Sequence, residues 1–237
     1  MKSYLAIALL AGIGLTACRN VHRRHDRDDL SKESRPVSGF TGVSTNGSID
    51  IVAAQGDYNV RVEAEHRTLK DIETEVKDGK LVVRFRDGWS WFDAGPVTVY
   101  VSAPVLNRLE THGSGDIRSD NTIRDSSRID LLVSGSGDIH LKLDCPVIMT
   151  ETHGNGDITI SGQSRDLQSQ ISGSGDLKAR DLQAENVKVG IRGSGDADVF
   201  ASVSLDASIS GSGDVNYRGN PKVTSTIHGS GSISKRD

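Results

Sequence analysis

From residue 107 onward, apolar side chains return at fixed places around a short polar phrase, Gly-x-Gly-Asp. The phrase reads Gly113-Ser114-Gly115-Asp116 and recurs from Gly135, Gly154, Gly173, Gly193 and Gly211. It fades as Gly229-Ser230-Gly231-Ser232, and the steps between first glycines run from 18 to 22 residues. Six residues before each first glycine stand Asn107, Ile129, Ile148, Leu167, Val187, Leu205 and Val223. Two before it stand Thr111, Val133, Thr152, Ile171, Ile191, Ile209 and Ile227, and four after it Ile117, Ile139, Ile158, Leu177, Ala197, Val215 and Ile233. The even spacing puts the first two sets, with the small or aliphatic position between them, on one face of a strand. Each repeat therefore predicts a strand, a tight corner, a second strand and a return of variable length.

Upstream the period is that of strands as well. Residues 40–44, 49–53 and 58–64 alternate apolar and polar, broken at Asn46-Gly47 and Gly56-Asp57. Residues 66–71 suit one helical turn. Residues 72–77 and 80–85 flank Asp78-Gly79, the dipeptide that favours a type I′ hairpin turn, and residues 97–102 form a further strand.

Repeats of 18–22 residues match one coil of a solenoid, so the predicted fold is all-β, a single-chain parallel β-helix. At about 4.8 Å per coil, seven coils make a rod of roughly 30 Å. A corner stacked on its own copy requires positive φ and close backbone approach, which glycine permits. The returns at 119–127 and 161–166 absorb the length differences and are expected to bulge outward.

Composition agrees with a thin core. Aromatic residues are only 4 % of the chain and Gly reaches 26, which suits small aliphatics shared along a stack. The net charge of −4 excludes a broadly basic nucleic-acid binder.

The first residues form a targeting segment. Lys2 precedes an apolar run from Leu5 to Leu15, the length of a signal-peptide core and too short for a membrane span. Leu15-Thr16-Ala17-Cys18 resembles the lipobox of bacterial lipoproteins. The resemblance implies cleavage before Cys18 and a diacylglycerol on its sulfur, and Arg19 favours the outer over the inner membrane. The segments are then 1–17, signal peptide; 18–35, lipidated cysteine and flexible charged tether; 36–106, N-terminal β-rungs with the hairpin; and 107–237, the repeat solenoid, with 36–237 one continuous domain. Residues 19–35 carry both charge signs and almost no aliphatics, as a tether does. The other cysteine, Cys145, lies beside Pro146 between two apolar segments and reads as a buried, inert thiol.

The corner aspartates Asp116, Asp138, Asp157, Asp176, Asp196 and Asp214 are the tempting chemistry. In register, neighbouring carboxylates about 5 Å apart repel by roughly 1 kcal/mol in water. The simplest offset is an Asx-type turn in which each Asp accepts N–H bonds from its own corner, with Ser114, Ser136, Asn155, Ser174, Ser194 and Ser212 adding a side-chain ladder. Ca²⁺ bridging the aspartates is the alternative, although one carboxylate per coil supplies few oxygens. His112, His153 and His228 precede the first glycine on coils one, three and seven, too far apart to share zinc. No HExxH, GxSxG, P-loop or CxxC occurs, and a sixfold copy argues against a unique catalytic cluster.

Residues 87–96 break the pattern with both tryptophans. Extended, Trp89 and Trp91 share a face and, with Phe92, form either an aromatic platform for a sugar, peptide or membrane interface or a lid over the core.

The Gly-Ser-Gly-Asp-Ile corners, the 72–85 hairpin, the 97–104 lead-in and Val215-Asn-Tyr-Arg-Gly-Asn-Pro221 together resemble a bacterial family of uncharacterised domains described as the head domain of putative autotransporter adhesins. The match covers roughly residues 38–233. It implies a right-handed parallel β-helix on secreted or lipid-anchored proteins and brings neither a catalytic residue nor a cofactor. The expected function is a non-enzymatic, lipid-anchored envelope module that meets a glycan, peptidoglycan or envelope protein. The alternatives are a structural or self-associating module, and a polysaccharide-acting enzyme with carboxylates outside the repeat, near Asp87 and Asp93.

Overall fold

A computed structural model describes residues 30–88 and 95–236. Among these the strands are β1 (Leu30–Arg35), β2 (Gly42–Gly47), β3 (Asp50–Gln55), β4 (Asn59–Glu65), β5 (Ile72–Lys77), β6 (Lys80–Phe85) and β7 (Thr98–Ala103). They continue as β8 (Arg108–Gly113), β9 (Ile117–Ser119), β10 (Ile123–Arg124), β11 (Arg128–Gly135), β12 (Ile139–Asp144) and β13 (Val147–Gly154). The last are β14 (Ile158–Gly173), β15 (Leu177–Gly193), β16 (Ala197–Gly211), β17 (Val215–Gly219), β18 (Lys222–Gly229) and β19 (Ile233–Lys235). One 3-10 turn, Leu69–Asp71, falls where the helical turn is expected.

The strands stack as parallel coils of a β-solenoid of about seven turns. Strands entering the corners form one face (face A), with the first glycines aligned from Gly113 to Gly229. Strands leaving the corners form the opposite face (face B). The core lies between them and contains the inward rows expected from the even spacing. Ile129, Ile148, Ile158, Ile171, Ile191 and Ile209 are all buried.

The N-terminal region contributes two layers in inverted spatial order. β2 and β3 sit directly under β8 and β9, and β6 and β7 lie one layer further out. The Asn46-Gly47 break is therefore a corner: Gly47 registers with Gly113, and Gly47-Ser48-Ile49-Asp50 is an additional, degenerate copy of the phrase. Gly115 needs its missing side chain because Ile49 O lies 2.1 Å from where its Cβ would be. Ile49, which stands in this copy where the other corners have their second glycine, is fully buried in the core.

Outside β6 and β7 the stack is closed by antiparallel strands. β5 pairs with β6 through the Asp78-Gly79 turn, both residues at positive φ as a type I′ hairpin requires, and β4 pairs with β7. β1 adds outside β4. Leu30–Arg35, assigned to the tether by its polarity, is thus an edge strand. An edge strand pairs through its backbone and needs no apolar alternation. Arg35 also donates to Leu69 O at 2.8 Å, and Lys32 meets Glu63 at 3.4 Å.

The returns divide. Residues 120–122 leave the sheet, stitched back by Gln55 and Asn121, which exchange bonds of 2.9 Å. Residues 161–166, expected to bulge, lie inside β14. That strand rounds the far edge without a break, keeping its ladder to β12 and β13.

Face A buries an outward-pointing carboxylate. Glu110 lies over Ser44, with Lys80 Nζ at 2.6 Å, Arg108 Nε bonded beside it and His112 Nε2 at 3.6 Å. Burial opposes the Glu110 charge, but the bonds from Lys80 and Arg108 prevail and hold its carboxyl below the ordinary value of 4.5. The folded state thus gains from the carboxylate above about pH 4.5 and loses that gain as pH falls through the lowered value. Glu110→Gln should therefore cost about 1–2 kcal/mol at neutral pH, modest because Lys80 and Arg108 can recover water. The gap to wild type should narrow below pH 4.5 in urea melts. A gap independent of pH would mean that shape rather than charge holds this site.

Candidate functional site

The corner row is a continuous hydrogen-bond ladder between turns. Asp116 N–H donates to Asp50 Oδ1 at 3.0 Å, Asp138 to Asp116 at 2.9 Å, Asp157 to Asp138 at 2.8 Å and Asp176 to Asp157 at 2.8 Å. Asp196 continues it to Asp176 at 2.9 Å, Asp214 to Asp196 at 2.7 Å, and Ser232 to Asp214 at 2.8 Å. Each carboxylate serves the following turn, not its own corner as an Asx turn would. The reason is geometric: a stacked corner sets the next N–H directly over the carboxylate. The remaining corner N–H groups are already bonded to the turn before, as Ser136 and Gly137 are to Gly113 O. The corner serines act through these main-chain bonds; the side-chain ladder is built of aspartates.

Repulsion along the row is offset from the side. Lys178 Nζ bonds Asp157 Oδ2. At the foot of the row, burial pushes the Asp50 carboxyl up, against the Asp116 N–H that pulls it down. Among the described residues no three of His, Cys, Asp and Glu converge as metal ligands would. The ladder is therefore scaffold in its geometry: each Oδ1 is occupied by the backbone it supports.

The other feature arises where coil length changes. Between β15 and β16 the register skips from Ala179↔Val199 to Ala184↔Ala201, so residues 180–183 of one turn stand over Phe200 alone in the next. The step opens a shallow groove of about 570 Å³ along the far edge, across four turns. Asp144, Cys145 and Pro146 line one end, Gln163, Ser164 and Arg165 follow, and Gln183, Ala184, Glu185, Phe200 and Ser202 line the other. Arg165 Nε holds Asp166 at 2.9 Å, and Arg124 Nε holds Asp144 at 3.3 Å. Cys145 is buried, its Sγ donates to Val147 O at 3.2 Å, and burial pushes its thiol pKa up, as for an unreactive cysteine. The sequence carries one sign of this groove, the drop from a 20-residue to an 18-residue step after Gly193.

Cys18, Trp89, Trp91, Phe92 and Asp93 lie outside the described residues. Asp87, which is described, pairs with Arg84 Nη1 at 2.9 Å.

These features define a class: a capped parallel β-solenoid whose repeated polar residues serve the stack, with an aromatic-bearing groove where the stack is irregular. The chain belongs to the family described as the putative auto-transporter adhesin, head GIN domain, which matches residues 39–221. No curated protein matches it. Among solved structures, a putative adhesin from Bacteroides fragilis superposes with a TM-score of 0.83 at 22 % identity, covering 87 % of this chain and 97 % of that one. Two proteins of Parabacteroides distasonis, each 24 % identical, share the fold. A putative lipid binding protein has a TM-score of 0.72 over 89 % of this chain and 98 % of its own, and a putative adhesin 0.71 over 87 % and 97 %.

Proposed function

We propose that the protein is a non-enzymatic envelope module, held by a lipid on Cys18 at the outer membrane, that binds an extended glycan such as a peptidoglycan strand in the far-edge groove. The groove formed by the coil-length step carries this reading. It runs across successive turns as a polymer would, and its amide, hydroxyl and guanidinium groups around the half-buried Phe200 ring suit a sugar's hydroxyls and its apolar face. Binding is favoured over catalysis because, of the two carboxylates lining the groove, Asp144 is held in an ion pair with Arg124 and Glu185 stands two turns away from it. The family's description as an adhesin head supports a role at the cell envelope, and the Leu15-Thr16-Ala17-Cys18 sequence supports the anchor.

Titration with soluble peptidoglycan fragments tests the reading. Phe200→Ala should weaken binding about tenfold, the worth of one ring stacked on a sugar, with the fold retained. Should Phe200→Ala bind like wild type while the Trp89→Ala/Trp91→Ala pair loses affinity, the loop rather than the groove is the binding site. Absence of binding to any fragment would overturn the glycan reading outright.

A further inference from the structure

The two ends of the solenoid differ. The N-terminal end is closed by antiparallel strands, with β1 and β5 outermost. At the C-terminal end every residue of β18 is exposed, and among the described residues its one ladder is to β16. Two of the few large exposed apolar residues, Val223 at 38 % and Ile227 at 41 %, stand on this strand. They continue the inward rows of Leu205 and Ile209, so they are inward-row residues with no turn stacked on them among the described residues.

A further turn of the same direction would not fit well here. The ladder ends in Ser232, whose N–H and hydroxyl both donate to Asp214 Oδ1, so no carboxylate awaits another corner. Head-to-tail growth is also blocked at the other end by the antiparallel cap. An inverted copy does fit. Antiparallel pairing of β18 with β18 of a second molecule, centred on Ser225, sets Val223 against Ile227 twice and Ser225 against itself. On the outer side it sets Thr224 against Thr226 and Lys222 against His228. Each inward residue thereby meets an inward residue, as antiparallel registry requires.

We propose that this end is a self-recognition surface, where two copies join tail to tail about a two-fold axis and continue one β-stack through both molecules. The contact is small. A strand of about 26 Å and two sheets about 10 Å apart span roughly 260 Å² per copy, below the size of a stable interface, so the dimer is weak and reversible. The dyad also sets Lys235 and Arg236, at the end of face B, against their counterparts, so salt strengthens the pairing by screening them. On the proposed Cys18 anchor, which this inference uses only for its consequence, the joined ends are those far from the membrane. Pairs would then form between facing membranes, as in homophilic adhesion.

The test uses the chain with Cys18→Ser, which removes the lipid acceptor and leaves the solenoid intact. Sedimentation velocity from micromolar to millimolar concentration should show a monomer–dimer equilibrium that shifts toward dimer with added NaCl. Ile227→Lys should abolish it without lowering the melting temperature, since that residue is already exposed. Ser225→Cys should form a disulfide-linked dimer under mild oxidation, whereas Ser208→Cys, exposed on face A, should not. A monomer at every concentration, or equal cross-linking from both cysteines, overturns the proposal. Neither result bears on glycan binding in the groove, so the two readings fail separately.

Discussion

Gly175→Ala is expected to cost more than about 4 kcal/mol, beyond the range of ordinary single substitutions and a large fraction of a domain's stability. The new Cβ would fall 2.1 Å from Gly156 O, more than 1 Å inside ordinary contact, and 3.0 Å from Thr152 Cγ2. The methyl of Thr152 could give way; the carbonyl cannot, because it belongs to the corner of the turn below. Relief requires the turns to separate where Ser174 N–H reaches Gly154 O at 2.9 Å. The expected result is a collapse of soluble yield or a urea midpoint lowered by most of its wild-type value. Two controls isolate the cause. Gly56→Ala, with nothing within 4 Å of its Cβ, should change stability by less than about 1 kcal/mol. Thr152→Ser, which deletes the threonine methyl, should fail to rescue Gly175→Ala. Rescue would show the side chain rather than the backbone to be the obstacle.

This dependence on the turn below explains how much of the fold can be read from the residues alone. Inward rows such as Ile129, Ile148 and Leu167 are legible because their spacing is even, and the glycines because stacking repeats one constraint. The hairpin at Asp78-Gly79 is legible because its turn is local. The β2–β3 layer is harder to see, since Ile49 stands where every other corner has its second glycine and Ser48-Ile49 hides the phrase. β1 leaves almost no trace, because an edge strand is held by the backbone of β4. The groove is legible only as a shortened step. Which segment protrudes over Phe200 depends on register, a property of two turns together.

The direction of the aspartate ladder is equally invisible to a single turn, and it leads to a prediction in which two effects oppose. Asp176 Oδ1 accepts the N–H of Asp196, and its own N–H reaches Asp157 Oδ1. Asp176→Ala leaves the Asp196 N–H without its acceptor at a corner that water partly reaches, so about 1–2 kcal/mol is lost. Asp176→Asn keeps an oxygen in place. It forfeits the strengthening that charge gives a hydrogen bond, but also removes repulsion from the carboxylates about 5 Å above and below, roughly 1 kcal/mol at most for each in water. The terms nearly cancel, so Asn should lie within about 0.5 kcal/mol of wild type, and added salt should stabilise wild type more than the Asn variant. If Asn proves as costly as Ala, charge rather than acceptor geometry is what the corner requires. The near-neutral outcome carries its own consequence for why the row is built of Asp. An asparagine can present either its oxygen or its NH₂ to the turn above, whereas a carboxylate offers acceptors only. Relative to asparagines the aspartates thus add little net stability, but they admit one arrangement of neighbouring corners, N–H over oxygen. Several Asn replacements together should loosen registry before they lower the melting temperature, seen as faster amide exchange at Asp157, Asp176 and Asp196.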